Sequence, residues 1–454
     1  MDWNSYDEYE KLVIRMNTPR VVIDNDVCKN ATIVKVDSAN KYGILLEAVQ
    51  VLADLNLNVS KAYVSSDGRW FMDVFHVTDS NGNKLTDDGV IGYIEKTLAR
   101  NSWIVPSFGM EAAAEHTAIE LTGTDRPGLL SEIFAVLADL KCNVVEAELW
   151  THNRRVACLL YITDEETGAP IKDPKKVCRI EELLRNVMKG DNDIRGPKTV
   201  VSVGFTHTQR RLHQMMFADR DYERPDRRAD AEKDALHHNN KPKSFVTVDN
   251  CFERGYSVVN VQCKDRPKLL FDIVCTLTDM QYVVFHATID SEGPQTYQEY
   301  YIRHTDGCPV NSEAERQRVI QCLEAAIERR VSEGLRLELC AGDRVGLLSD
   351  VTRIFRENGM SVTRAEVSTR GGKAVNVFYV TDAAGNPVDS KTVEAVRREI
   401  GMTMLQVKEI SSTCVKSPVT EPPPARFSLG NLFKSQSERF LYNLGLIGLI
   451  KSYS

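Results

Sequence analysis

The hydrophobic pattern of the chain repeats four times in the same order. Each repeat opens with a β-branched run, such as TIVKV (32–36), which predicts a strand. Apolar residues then recur at helical spacing, as at Leu129, Ile133 and Val136, which predicts a helix. Two extended stretches and a second helix come next. Each repeat therefore predicts the order β-α-β-β-α, usually with a final strand.

A ten-residue motif marks the start of the first helix in every repeat. The four versions align without a gap, and we number the copies by them: NKYGILLEAV from Asn40 (copy one), DRPGLLSEIF from Asp125 (two), DRPKLLFDIV from Asp265 (three) and DRVGLLSDVT from Asp343 (four). Counting from these first residues, position +22 is alanine in each copy, at Ala62, Ala147, Ala287 and Ala365. One supersecondary unit is thus used four times.

The copies form two tandem pairs along the chain. A strand-like segment precedes copies one and three at the same distance, as VIDN (22–25) and TVDN (247–250). Copy three also runs from its second helix straight into the first strand of copy four, which leaves no room for its own last strand. We predict that residues 21–25 and 246–250 fill that edge position, beside the first strand of copies one and three.

These patterns predict the following domain organisation. It comprises an acidic N-terminal segment (1–19), domain 1 (20–110), domain 2 (111–205), a polar linker (206–244), domain 3 (245–333), domain 4 (334–411) and a Pro-containing linker with an apolar C-terminal tail (412–454). The polar linker contains one stretch with helical spacing.

Composition narrows the class of protein. With 42% hydrophobic and 27% charged residues, the 454-residue chain is neither disordered nor fibrous. A net charge of −7 argues against nucleic-acid binding. The longest apolar run is too short to span a membrane, and the acidic N-terminus does not resemble a targeting peptide, so we expect a soluble protein of the cytoplasm or nucleus. Eleven cysteines without a CxxC pair predict reduced, mostly buried thiols.

No motif for catalysis stands out. We find no GxxxxGK[ST], GxGxxG, HExxH or GxSxG sequence, and four small domains leave no large catalytic domain unaccounted for. We therefore predict that the protein is not an enzyme, with no catalytic residues, no cofactor and no metal site.

The motif supports a resemblance to a known family. A strand followed by Asp-Arg-Pro-Gly-Leu-Leu-Ser-Glu-Ile at the start of a helix resembles the ACT domain, a ferredoxin-like regulatory module that binds amino acids. Four copies with a C-terminal FLYNLGLI sequence are similar to the plant ACT domain repeat proteins, and the pairing also resembles the regulatory end of bacterial uridylyltransferases that sense glutamine. The resemblance implies an α+β protein of four ferredoxin-like (βαββαβ, ACT-type) domains arranged as two tandem pairs.

The resemblance also implies a ligand site. In the family, amino acids bind between paired domains, against the motif loop and the strands of the neighbouring domain. Copies two and four have the better preserved loops, which gives the primary candidates Asp125, Arg126, Pro127, Gly128 and Leu129, and Asp343, Arg344, Gly346 and Leu347. Copies one and three depart from the motif, so we place their residues second: Asn40, Gly43, Asp265 and Lys268.

The motif suits a small zwitterion for physical reasons. Asp125 or Asp343 can cap the helix, and Pro127 fixes φ in its first turn. Gly128 or Gly346 lets a ligand approach backbone N–H groups that would hold a carboxylate at the helix N-terminus. The same residues are also favoured by any strand-to-helix turn, so turn chemistry alone is an alternative interpretation.

An acidic residue recurs at position +7 of every copy. We expect an exposed carboxylate that interacts favourably with the helix dipole, and not a catalytic group. The four residues are Glu47, Glu132, Asp272 and Asp350.

Two functions remain open at this point. The first is a non-catalytic amino-acid-binding regulatory or sensor protein, whose partners are a free amino acid and a regulated protein. The alternative is a protein–protein interaction scaffold or adaptor built from ACT domains with no small ligand. Sheet edges also allow homo-oligomers. An RNA-binding module shares the β-α-β-β-α-β order but needs a basic surface, which the net charge of −7 does not supply.

Overall fold

All four copies form the predicted order of strands and helices in a computed structural model of the chain. The structure describes residues 20–39, 43–66, 70–99, 116–189, 196–202, 207–223, 244–331, 334–401 and 404–408. Three predictions lie outside these residues: those for the N-terminal segment (1–19), for Asn40 and for the C-terminal linker and tail (412–454).

The first two copies occupy the N-terminal half of the chain. Copy one consists of β1 (Arg20–Asp24), β2 (Thr32–Ala39), α1 (Ile44–Asp54), β3 (Asn58–Ser66), β4 (Trp70–Thr78) and α2 (Asp88–Ala99). Copy two consists of β5 (Thr117–Thr124), α3 (Leu129–Asp139), β6 (Cys142–His152), β7 (Arg155–Asp164), α4 (Pro174–Met188) and β8 (Lys198–Ser202). A further helix, α5 (Thr208–Ala218), follows them.

The last two copies repeat this arrangement. Copy three consists of β9 (Phe245–Cys251), β10 (Tyr256–Lys264), α6 (Leu269–Asp279), β11 (Tyr282–Glu292), β12 (Gln295–His304) and α7 (Glu313–Glu328). Copy four consists of β13 (Leu335–Gly342), α8 (Leu347–Glu357), β14 (Met360–Arg370), β15 (Lys373–Asp382), α9 (Ser390–Ile400) and β16 (Leu405–Lys408).

The strands form two antiparallel sheets of eight strands each. Sheet A has the order β1-β2-β4-β3-β11-β12-β10-β9, and sheet B has the order β16-β13-β15-β14-β6-β7-β5-β8. Strand β1 pairs with β2, and β9 pairs with β10, at the two edges of sheet A. The prediction that these segments fill the edge position in copies one and three is confirmed. In copies two and four the same position is filled by the C-terminal strands β8 and β16.

Copies that share a sheet are not neighbours in the chain. Sheet A joins copies one and three along β3 and β11, and sheet B joins copies two and four along β6 and β14. The tandem pairs of the sequence are therefore interleaved in space and do not pair internally. Repetition in the sequence could not show this, because all four copies present the same small residue at a seam, namely Ala62, Ala147, Ala287 and Ala365.

Each sheet buries one continuous core under its helices. In sheet A this core includes Phe75 of copy one and Phe271 of copy three, and in sheet B it includes Ile133 of copy two and Phe355 of copy four. A small unit buries a smaller share of its surface than a larger one, and pairing two of them also removes one open edge from each. The interleaved pairs are thus the units that complete a hydrophobic core.

Part of the predicted polar linker is buried, so describing all of 206–244 as a linker is wrong. Residues 207–223, which we call the inter-sheet segment, contain α5 and pack on the outer face of sheet B. Leu212 and Met216 of α5 are completely buried against Trp150 and Tyr161 of copy two. Helix α5 also contacts α6 of copy three. The predicted helical stretch is confirmed, but it lies between layers of the fold.

Candidate functional site

The motif loop of copy two is a β-turn followed directly by α3. The N–H group of Leu129 donates to the carbonyl oxygen of Arg126 at 3.1 Å, and Gly128 has φ 83° and ψ −4°. These angles belong to the third residue of a type II turn, which favours glycine there and proline at the second residue. Pro127 and Gly128 therefore form the turn, and the helix begins after them.

Neither predicted aspartate caps its helix. The N-cap residue is Gly128 in copy two and Gly346 in copy four, and neither helix has a hydrogen bond from a capping side chain. The turn places Asp125 and Asp343 three residues ahead of the N-cap, too early to reach it. Asp125 instead donates its backbone N–H to the carbonyl oxygen of Arg154 at 2.8 Å. Turn geometry, and not side-chain capping, sets the start of these helices.

The arginine of the motif pairs with the acid at position +7 of the same copy. In copy two both oxygens of Glu132 accept from Arg126, and Arg126 also donates to the carbonyl oxygen of Val187 at 3.0 Å. This arginine therefore fastens the loop to its own helix. The three pairs and their distances are Arg126–Glu132 (2.8 and 2.5 Å), Arg266–Asp272 (2.7 Å) and Arg344–Asp350 (2.6 Å).

The acid of copy three is not exposed, contrary to our prediction. Asp272 is 0% exposed and interacts with Arg266 at 2.7 Å, His213 at 2.8 Å and Arg330 at 3.0 Å. Burial alone would raise the pKa of Asp272, but the guanidinium groups of Arg330 and Arg266 outweigh it and hold that pKa well below its usual range. Asp272 is thus ionised inside the protein.

The loop of copy two faces copy four across a small cavity. Its own side of the cavity includes Asp125, Gly128 and Ser131, and the other side includes Thr352 of α8 and Met360 of β14. The cavity volume is about 10 Å³, which is room for roughly one water molecule. Loop and neighbouring strand therefore meet as the resemblance implies, in a closed arrangement.

Arg356 of copy four covers this loop. A Cβ atom placed on Gly128 would lie 2.7 Å from the Cδ atom of Arg356, so any larger residue there would displace that side chain. Arg356 is exposed to solvent, and its charge helps to lower the pKa of Glu132, after the larger effect of the hydrogen bond from Arg126. The stem of Arg356 thus packs against the backbone of the motif loop, and its positive charge acts on the first turn of α3.

The loop of copy three meets copy one in the same way. Asp265, Lys268 and Gln298 line one side of a cavity of about 20 Å³, and Val49 and Ala53 of α1 line the other. Lys268 adopts φ 65° and ψ 8°, so it keeps the left-handed turn conformation that glycine has elsewhere. This site has no counterpart of Arg356, because Ala53 stands at that position in copy one.

The remaining loops are more open. A Cβ atom on Gly346 of copy four would meet only Arg344 of its own loop, at 3.8 Å. Gly43 of copy one has φ 86° and precedes α1 as the N-cap residue, with open space at its Cβ position. The candidate Asp343 precedes the copy-four turn, and the candidate Leu347 is its last residue. The N–H group of Leu347 donates to the carbonyl oxygen of Arg344 at 3.1 Å.

Sequence reasoning identified one side of each cavity and missed the other. Thr352, Arg356 and Met360 come from the neighbouring copy, which the interleaved pairing places against the loop of copy two. A signal was present for Arg356, since the other copies carry Ala53, Ala138 and Thr278 at its position.

The described residues were also searched for a membrane-spanning helix and for a metal site. Among the described residues, no helix is long and apolar enough to cross a membrane. Within the same residues, no three or more His, Cys, Asp or Glu side chains are placed to hold a metal ion.

Comparison with known proteins agrees with this architecture. Residues 117–173 and 335–401 match the ACT domain family. Residues 27–104 match the family described as the ACR family N-terminal ACT domain, and residues 245–339 match the ACR9-like, ACT-like domain.

Full-length relatives are found in Arabidopsis thaliana. ACT domain-containing protein ACR4 is 60% identical over 453 residues and ACT domain-containing protein ACR5 is 57% identical over 456 residues, with 98% of each chain covered. A bifunctional uridylyltransferase/uridylyl-removing enzyme of Gluconobacter oxydans is 22% identical over 211 residues, which are 46% of this chain and 19% of that enzyme. The predicted resemblance is confirmed: the chain belongs to the ACR family of ACT domain-containing proteins.

Proposed function

We propose that the protein is a non-catalytic amino-acid sensor whose primary site is the loop of copy two against copy four. One observation carries the proposal: the stem of the exposed Arg356 packs against Gly128 at the N-terminus of α3, and its guanidinium charge acts on Glu132 in the first turn of that helix. An α-carboxylate would bind between that guanidinium and the first N–H groups of α3. The ammonium group would face the carboxyl group of Asp125.

The apolar lining supports a ligand with a hydrophobic side chain. Leu149, Phe355, Met360 and Val362 surround the cavity, and of these only Val362 is not fully buried. Because the cavity holds about one water molecule, the side chain of Arg356 would have to move outward to admit an amino acid. Binding is thereby linked to the position of a copy-four side chain over the copy-two loop, and a sensor requires a link of this kind between ligand and conformation.

Thermal unfolding in the presence of each common amino acid tests this proposal. A ligand at a hundred times its dissociation constant adds about 2.7 kcal/mol to the stability of the folded protein, and so raises the melting midpoint. Arg356→Ala should weaken binding about tenfold or more, because it removes a charge-assisted hydrogen bond. The matched control is Arg353→Ala, which removes an exposed arginine one turn earlier on α8. Equal weakening by both variants would contradict a direct role for Arg356.

The pH dependence of binding gives a second test. Burial raises the pKa of Asp125 from its usual 3.8 to about 6, so the carboxyl group is protonated below pH 6 and ionised above it. Affinity for an amino acid should therefore rise as the pH rises through about 6. Without ligand, the protonated Asp125 side chain favours the folded protein. Its contribution to the free energy of unfolding is complete below the pKa of Asp125 in the unfolded chain, and is lost as the pH rises through about 6.

Asp125→Asn should remove this pH dependence from calorimetric titrations between pH 5 and pH 8. Glu182→Gln is the control, since Glu182 is an exposed acid on α4. An unchanged pH profile in Asp125→Asn would show that Asp125 does not face the ammonium group.

The small size of both cavities favours one alternative, a scaffold that binds a partner protein without any small ligand. Cavities of about 10 and 20 Å³ hold no amino acid in the arrangement described. In that case no amino acid would shift the melting midpoint. Gly128→Val would change the stability of the protein but not its binding to the partner.

A further inference from the structure

The inter-sheet segment (residues 207–223) is bonded to both layers of the protein. Towards sheet B, Asp219 accepts from Arg155 of β7 at 2.6 and 3.0 Å, and Asp221 interacts with His152 of β6 at 3.0 Å. All of these contacts join the segment to copy two. Its apolar face packs on the same strands, so sheet B holds the segment by packing and by charge.

Towards sheet A, the segment is held by the helices of copy three. Arg329, at the end of α7, donates to both oxygens of Asp221 at 2.7 and 2.6 Å and lies 2.9 Å from the ring of His213. The other ring nitrogen of His213 lies 2.8 Å from Asp272 of α6. These four side chains are at most about 4% exposed, so the charges are shielded from water and interact strongly.

The motif loop of copy three takes part in the same network. Lys268, at the glycine position of the motif, points its Nζ atom at Oε1 of Gln209 in α5, at 3.3 Å. Arg330 donates to the same oxygen at 2.9 Å, bonds Asp272, and lies with its guanidinium 4.7 Å from the ring centre of Trp150 in sheet B. The loop thus reaches copy two through one layer of side chains.

Copy three differs from the other copies at the residues that make these contacts. Its +7 acid is fully buried, whereas Glu132 and Asp350 are partly exposed. Its turn holds a lysine at φ 65°, a backbone conformation that residues with a Cβ atom rarely adopt. A strained residue that persists in a turn indicates that its side chain makes contacts which offset the strain.

We propose that the motif loop of copy three is the mechanical joint between the two sheets, with Lys268 and Asp272 bonded through the inter-sheet segment to copy two. The loop keeps the shape of a ligand loop and uses its side chains to connect layers. A conformational change in either sheet is then transmitted to the other sheet. This inference does not depend on whether any copy binds an amino acid.

Lys268→Gly tests the joint, because the two interpretations predict opposite signs. If the loop is only a turn, glycine relieves the left-handed conformation and raises the melting midpoint. If the loop is the joint, the variant loses its contact with Gln209, and the midpoint falls by about 2 °C or more. Lys141→Gly is the matched control: Lys141 has φ 53°, is exposed, and lies at the end of α3 away from the network. Its midpoint should stay the same or rise.

Hydrogen exchange measured by mass spectrometry locates the effect. In Lys268→Gly, exchange in residues 208–218 and 148–152 should become about tenfold faster, although neither range contains the mutation. Gln209→Ala is the reciprocal variant and should speed exchange in residues 266–272 of copy three. A rise in the melting midpoint of Lys268→Gly would overturn the proposal. So would faster exchange confined to the mutated loop in Lys268→Gly and to the mutated helix in Gln209→Ala.

Discussion

Changing Asp221 to alanine should lower the free energy of unfolding by about 3–5 kcal/mol, the usual cost of removing one partner from a buried ion pair. The side chains of Asp221 and Arg329 are 0% and 1% exposed, and the guanidinium group donates to both carboxylate oxygens. Without the carboxylate, a positive charge remains in a site that water cannot reach. Urea unfolding followed by circular dichroism measures the change.

Two further variants show whether charge is the cause. Glu182→Ala breaks an exposed pair with Arg179 at 3.2 Å and should change stability by less than about 0.5 kcal/mol. The double variant Asp221→Leu/Arg329→Met replaces both charges with apolar side chains and should recover most of the loss. If the double variant is as unstable as Asp221→Ala, then lost packing, and not the unpaired charge, explains the effect.

The second large decrease in the free energy of unfolding is expected for Trp150→Ala. Trp150 is 0% exposed and fills the space between the outer face of sheet B and α5, with its ring centre 4.9 Å from that of His213. Its removal leaves a cavity and also deletes the partner of the Arg330 guanidinium, so we expect a loss of about 3–5 kcal/mol.

Tyr297→Ala is the matched control, because Tyr297 is an aromatic residue of β12 that is 47% exposed. Its loss should stay well below that of Trp150→Ala in the same urea experiment. Similar losses in the two variants would contradict the burial of Trp150 between layers.

The sequence was sufficient to predict the structure that each copy forms by itself. Periodicity gave the order of strands and helices, and the equal spacing of VIDN and TVDN gave the edge strands β1 and β9. Both signals are local: all four copies share the first, and copies one and three share the second. The family followed from the same motif, since four copies in register are a specific pattern.

Contacts between copies could not be predicted in this way. The seams carry alanine in all four copies, so the residues there favour no particular partner. The inter-sheet segment contains histidine, arginine and glutamine, which are typical of a solvated helix, and their partners lie far away along the chain. His213, for example, bonds Asp272 and Arg329. Polar composition predicts exposure only when no opposite charge is buried beside it.

The candidate site was predicted in part for the same reason. The turn at Gly128 was recognisable from its residue types, because glycine and proline are favoured at fixed positions of a type II turn. Arg356 was not recognised, since its contact with Gly128 depends on copy four lying against copy two. The exposure expected of Asp272 was wrong because acids at equivalent positions share a backbone environment and not the same neighbours.

The interleaved order of the copies also determines when the fold can be completed during synthesis. Lys61 in β3 pairs with Asp290 in β11, 229 residues later. At about 5–20 residues per second, a ribosome adds that length in roughly 10–45 s. Copy one therefore leaves the ribosome long before its partner exists, with the inner edge of its sheet unpaired. Chaperones that bind exposed strands would have this interval in which to act on the nascent chain.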